Sequence, residues 1–132
     1  KGLHILLAED NELNMEIAEF VIQNEGASVT KAWNGQEAVE IFKKSRPDEF
    51  DVILMDIMMP IKNGYEAAKM IRALDRDDAK TVPIIAMTAN AFTEDRLKSK
   101  ESGMNEHIAK PIDAKLLVKV ISEFVENKEE DS

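Results

Sequence analysis

Cysteine is absent from the 132 residues, so neither a disulfide framework nor a thiolate metal site can form, and the composition suits a reducing compartment. Imidazole is nearly as scarce, with only His4 and His107. No apolar run approaches the roughly 20 residues that cross a bilayer, and the N-terminus lacks the pattern of a signal peptide. A cytoplasmic protein with no membrane insertion is therefore expected. Positive charge is also in deficit: 17 basic against 26 acidic residues leave a formal charge of −9. That balance opposes nucleic-acid phosphates and speaks against direct binding to DNA. The sequence opens on Lys1 rather than Met, which suggests excision from a longer polypeptide.

What is present is apolar patterning, with 44% hydrophobic residues, enough for one two-sided core. Leu3 to Ala8, Ser28 to Ala32, Asp51 to Asp56, Pro83 to Thr88 and His107 to Ala109 read as strands. Between and after them lie helical patterns: about Glu12 to Glu25, from the Asn34-Gly35 turn to Lys44, from the Pro60 and Gly64 loop to Leu74, about Ala91 to Ser102, and Asp113 to Glu126. Strict alternation with near-continuous apolar strands predicts a doubly wound, three-layer α/β domain: a parallel five-stranded sheet covered by helices on both faces. Residues 1–126 form that one domain, and 127–132 are expected to be a polar tail or linker.

Four places stand where a strand meets its loop: Glu9-Asp10, Asp56, Thr88 and Lys110. In an open parallel sheet the carboxyl ends of the strands share one edge, so these residues converge on one pocket. Three carboxylates crowded there repel one another unless they share a hard cation, and Mg2+ favours carboxylate, water and phosphate oxygens. Together with a hydroxyl and an ammonium, the set points to phosphoryl transfer. Taken alone each residue has a plainer role: an acidic pair favours the N-terminus of a helix, with Asp10 or Asn11 as its cap, and a strand-end Thr or Lys is ordinary turn or surface chemistry.

The segments "ILLAEDNELN", "DVILMDIMMPIKNGYEA", "PIIAMTANA" and "HIAKPID", in that order and spacing, resemble the receiver domain of two-component response regulators. The resemblance covers Leu3 to Phe124 and is nearest in wording to receivers of hybrid sensor histidine kinases. It implies the flavodoxin-like strand order 2-1-3-4-5 with five helices. It also implies that Asp56 is the phosphoacceptor, taking a phosphoryl group from a histidine kinase or histidine-phosphotransfer protein in a phosphorelay. The implied metal is Mg2+ or Mn2+, held by Asp10, Asp56, the backbone carbonyl of Met58, and Glu9 directly or through water. The family more often carries Asp at the position of Glu9. Lys110 would hold one phosphoryl oxygen and Thr88 would donate its hydroxyl to another. His107 occupies the position of an inward-turning aromatic switch that works with Thr88, and Gly64 serves the tight return after Asp56. Such a domain catalyses its own phosphorylation and dephosphorylation, whether it stands free or belongs to a hybrid histidine kinase.

On the first helix Leu13, Ile17 and Phe20 make one apolar stripe, and Met15, Ala18 and Ile22 make another. At about 100° per residue the two point in nearly opposite directions. The first is expected to face the sheet. The second is expected to dock on the partner's helical bundle, since the resembled family commonly docks through this helix. Three rivals remain. A haloacid-dehalogenase-type aspartyl-phosphate phosphatase normally has a second Asp two residues after its nucleophile, where this chain has Met58. A flavodoxin-like cofactor site would meet repulsion from Glu9-Asp10. A degenerate receiver acting only as an interaction module would not need Asp56, Thr88 and Lys110 together.

Overall fold

The five runs pair into one parallel sheet whose three central strands are too apolar to leave either face in water, while the two edge strands carry exposed and half-buried polar residues. A computed structural model describes residues 3–59, 61–88, 97–98, 100–109 and 113–130. The strands are β1 His4–Ala8, β2 Ser28–Ala32, β3 Val52–Asp56, β4 Ile84–Thr88 and β5 Glu106–Ala109, in the predicted order β2-β1-β3-β4-β5. Register is continuous across the centre, with Ala8 beside Met55, Asp56 beside Met87 and Thr88 beside Ala109.

Successive residues alternate between two cores, as the pleat requires. Leu6, Ile53, Met55 and Ile84 join Val39, Phe42 and Ile71 on one face, from helices α2 Gly35–Lys44 and α3 Gly64–Arg72. Ile5, Leu7, Leu54, Ile85 and Met87 join residues of α1 Glu12–Asn24 and α5 Ala114–Glu130 on the other. A short helix α4 Asp77–Thr81, not anticipated from the sequence, precedes β4. Residues 97, 98, 100 and 101 are helical, while most of the expected helix at 91–102 lies outside the described residues. Helix α5 runs to Glu130 instead of ending near Glu126, because no Gly or Pro interrupts it and Lys128, Glu129 and Glu130 are strong helix formers.

The expected orientation of α1 is reversed. Met15, Ala18 and Ile22 are 1%, 1% and 3% exposed and pack on the sheet, whereas Leu13, Ile17 and Phe20 are 64%, 46% and 71% exposed. The partner-docking role expected for Met15, Ala18 and Ile22 is therefore excluded. The reason is polarity: Glu12, Glu16 and Gln23 lie on the same half of the helix as Leu13 and Phe20, so turning Phe20 inward would carry the Glu16 charge toward the core.

Candidate functional site

Three of the helices that begin at the carboxyl edge of the sheet, α1, α2 and α3, are each capped by an asparagine. Asn11 accepts from the Asn14 N–H at 2.9 Å, Asn34 from Glu37 at 2.8 Å, and Asn63 from Glu66 at 2.9 Å. Glu66 returns a bond to the Asn63 N–H, completing a capping box. The Asn11 and Asn63 caps fix the loops that follow β1 and β3, which carry the acidic residues. Asn11, and not Asp10, caps α1, which leaves the Asp10 carboxylate at the surface.

Glu9 follows β1 and is buried, 1% exposed; its N–H reaches Ala32 O and its Oε2 accepts from the Asn11 N–H at 3.1 Å. Asp56, 2% exposed, ends β3 and its Oδ1 accepts from the Met58 N–H at 3.1 Å. Carboxylate oxygens of Glu9, Asp10 and Asp56 all lie within 4.8 Å of one another. Two ligands of one octahedral Mg2+ are at most about 4.2 Å apart, twice a bond of about 2.1 Å. A small closure, or one water beside the longer Glu9, brings the cluster into that range. The donor set, all oxygen, fits a small hard cation and not a soft one.

Thr88 ends β4 as a buried residue, in the strand next to Asp56. His107 lies in β5 opposite Ala86 and is half-buried, with both ring nitrogens shielded from solvent. Lys110 lies outside the described residues; Ala109, before it, ends β5 beside Thr88. Met58 projects outward, 75% exposed, while Met59 is buried. Gly64 is needed for space: a Cβ there would lie 2.5 Å from Asp56 O and 2.9 Å from Ile57 Cα. Two features of this edge went unread in the sequence, the close approach of Gly35 to Lys62 and the positive φ of 68° at Ile61. Asn34-Gly35 signalled a turn, but it is the cap and first residue of α2.

The response regulator receiver domain model matches residues 5–122. The chain belongs to that family. This receiver is 38% identical over 120 residues to hybrid signal transduction histidine kinase I of Dictyostelium discoideum, covering 89% of the chain and 7% of that protein. It thus spans a small fraction of the length of the hybrid kinase it matches. A crystal structure of the receiver domain of the sensor histidine kinase PA1611 from Pseudomonas aeruginosa PAO1, with a magnesium ion in its active-site cleft, superposes with a TM-score of 0.84. It shares 37% identity, over 95% of this chain and 98% of that one. The Saccharomyces cerevisiae Ssk1 receiver, solved in complex with the phosphotransfer protein Ypd1, gives a TM-score of 0.82 at 32% identity, over 93% and 88% of the two chains. Strand order, site edge and family agree with the reading of this chain as a receiver domain of two-component phosphorelay systems.

Proposed function

We propose that this receiver takes a phosphoryl group onto Asp56 from a histidine kinase or histidine-phosphotransfer protein in the cytoplasm, using Mg2+. The observation that carries the reading is the clustering of Glu9, Asp10 and Asp56 within 4.8 Å at the edge where β3 ends. A carboxylate attacks phosphorus poorly because two anions must approach, so the site must offset charge and hold the attack in line. A bound Mg2+ would supply that neutralisation, with Asp10, Asp56, the Met58 carbonyl and Glu9 as its holders. An Asp56 carboxylate oxygen forms the new bond to phosphorus as the bond to the donor imidazole nitrogen breaks, and that nitrogen regains a proton from solvent. Thr88 donates its hydroxyl to the transferred group, and Lys110 places an ammonium against it. Loss of the phosphoryl group to water or to a second histidine reverses the state.

The exposed stripe of Leu13, Ile17 and Phe20 begins beside Asp10, so a donor bundle seated on it brings its histidine over the acidic pocket. Labelling followed by intact mass tests both halves. Acetyl phosphate is expected to add one base-labile phosphoryl group to wild type and none to Asp56→Asn. Phe20→Glu is expected to slow transfer from a phosphorylated protein donor about tenfold while acetyl-phosphate labelling holds. Undiminished labelling of Asp56→Asn would refute the phosphoacceptor assignment, and wild-type donor transfer by Phe20→Glu would refute the docking stripe.

A further inference from the structure

We infer that Gly35, at the start of α2, is a positioning residue for the phosphoacceptor loop: lacking a side chain, it admits the Lys62 carbonyl against the helix, and that contact sets the shape of residues 57–59 and 61–63. The inference rests on the reading of Asp56 and the Met58 carbonyl given above. The Gly35 N–H donates to Lys62 O at 3.1 Å. A Cβ on Gly35 would lie 2.1 Å from that oxygen, 2.8 Å from the Lys62 carbonyl carbon and 3.1 Å from Lys62 Cβ. The first two obstacles are backbone, so no rotamer change relieves them. Gly35 has no positive φ, so the requirement is for space rather than for conformational freedom.

Two further observations tie this contact to the site. The loop is also closed on itself, next to Asp56, by the Gly64 N–H bond to Ile57 O at 2.9 Å, and a Cβ on Gly64 would lie 2.5 Å from Asp56 O. Between the closures, Ile61 adopts φ 68°, a left-handed conformation that β-branched residues rarely adopt, while 79% of its surface faces solvent. Such a conformation persists where neighbours over-determine it. The exposed Ile61 side chain has little packing to do this, and the residue after it is the one Gly35 pins. Helix α2 is a firm reference for the pin, since Ala38, Val39 and Phe42 are buried in the core. Displacing Lys62 frees Ile61 to relax, and the turn that presents the Met58 carbonyl and Asp56 changes with it.

The test is Mg2+ affinity by titration calorimetry on the full chain, together with acetyl-phosphate labelling, well below the melting temperature. Gly35→Ala is expected to weaken Mg2+ binding and slow labelling by about tenfold or more. Ala38→Gly, which loosens the same helix from its buried face without touching Lys62, is expected to lower the melting temperature but leave Mg2+ affinity within about twofold. If Gly35→Ala does not fold, Gly35→Ala combined with Ile61→Gly, whose loop can yield, is compared with Ile61→Gly alone. Weaker Mg2+ binding by the double variant supports the inference and equal binding overturns it. Wild-type affinity in a folded Gly35→Ala, or an equal loss in Ala38→Gly, overturns it while the phosphoacceptor reading stands. A wild type that binds no Mg2+ overturns that reading and this inference with it.

Discussion

The two ends of the sheet solve opposite electrostatic problems. At the carboxyl end three carboxylates converge and a β-branched residue is held at positive φ. At the amino end two arginines clamp the loops and helix ends. Arg76 donates to the carbonyls of Phe42, Lys43, Ser45 and Arg46, where α2 ends, pairs with Asp78 at 2.7 Å, and lies 4.9 Å over the Phe42 ring. Arg72 likewise donates to Gly103 O, Ala79 O and Asn105 Oδ1, and Asn105 Oδ1 also accepts the Ile84 N–H that opens β4. Burial lowers the Arg72 pKa from its ordinary value. Arginines at helix C-termini satisfy orphan carbonyls and match the helix dipoles. The contrast teaches that the amino end is tied together by arginine clamps, whereas the carboxyl end gathers the carboxylates proposed above to hold a cation and a phosphoryl group.

The largest effect that would break this contrast is the loss of Arg76. Arg76→Ala strips donors from the end of α2 and leaves Asp78, little exposed, without its cation. It is expected to cost about 3 kcal/mol and lower the melting temperature by about 10 °C, with Mg2+ affinity unchanged. A thermal scan and a Mg2+ titration of the same variant check it; a variant that keeps its stability but loses metal binding would invert the assignment of the two ends.

A smaller effect sharpens the same contrast through pH. Burial pushes the Asp78 carboxyl up, but the Arg76 hydrogen bonds and charge and the N–H groups of Asp48 and Ala79 together hold it below its ordinary value. A folded pKa below the unfolded value, about 3.9, means the contribution is complete above that value and is lost as pH falls through the folded one. Asp78→Asn is thus expected to melt about 3 °C below wild type near neutrality, with the gap closing as pH falls below about 3.9. A gap that stays constant across that window would show that the charge of Asp78 does not matter.

Much of this was legible from residues alone. Alternating apolar runs gave the sheet, and the strand-end positions of Glu9, Asp56 and Thr88 put them on one edge, because a parallel sheet leaves strand ends little choice. The orientation of α1 was misjudged because apolar spacing defines two stripes without saying which is inward; Glu12 and Glu16 beside Leu13 and Phe20 held that information. Helix α4 escaped notice because five residues are too few for a periodic signal, and the arginine clamps because they join residues about thirty positions apart. The Gly35 contact was hidden for a similar reason, since nothing in Asn34-Gly35 reveals that Lys62 lies against it.

The measurement that bears most directly on the account compares thermal melts of wild type and Asp56→Asn, each with and without millimolar Mg2+. Three crowded carboxylates should repel in the metal-free fold, so Asp56→Asn is predicted to melt higher than wild type without metal, while Mg2+ raises wild type by about 5 °C or more and the variant by less. A wild type whose melting temperature ignores Mg2+, with Asp56→Asn melting no higher than it does, would contradict the claim that this edge is an acidic cation pocket built around a phosphoacceptor.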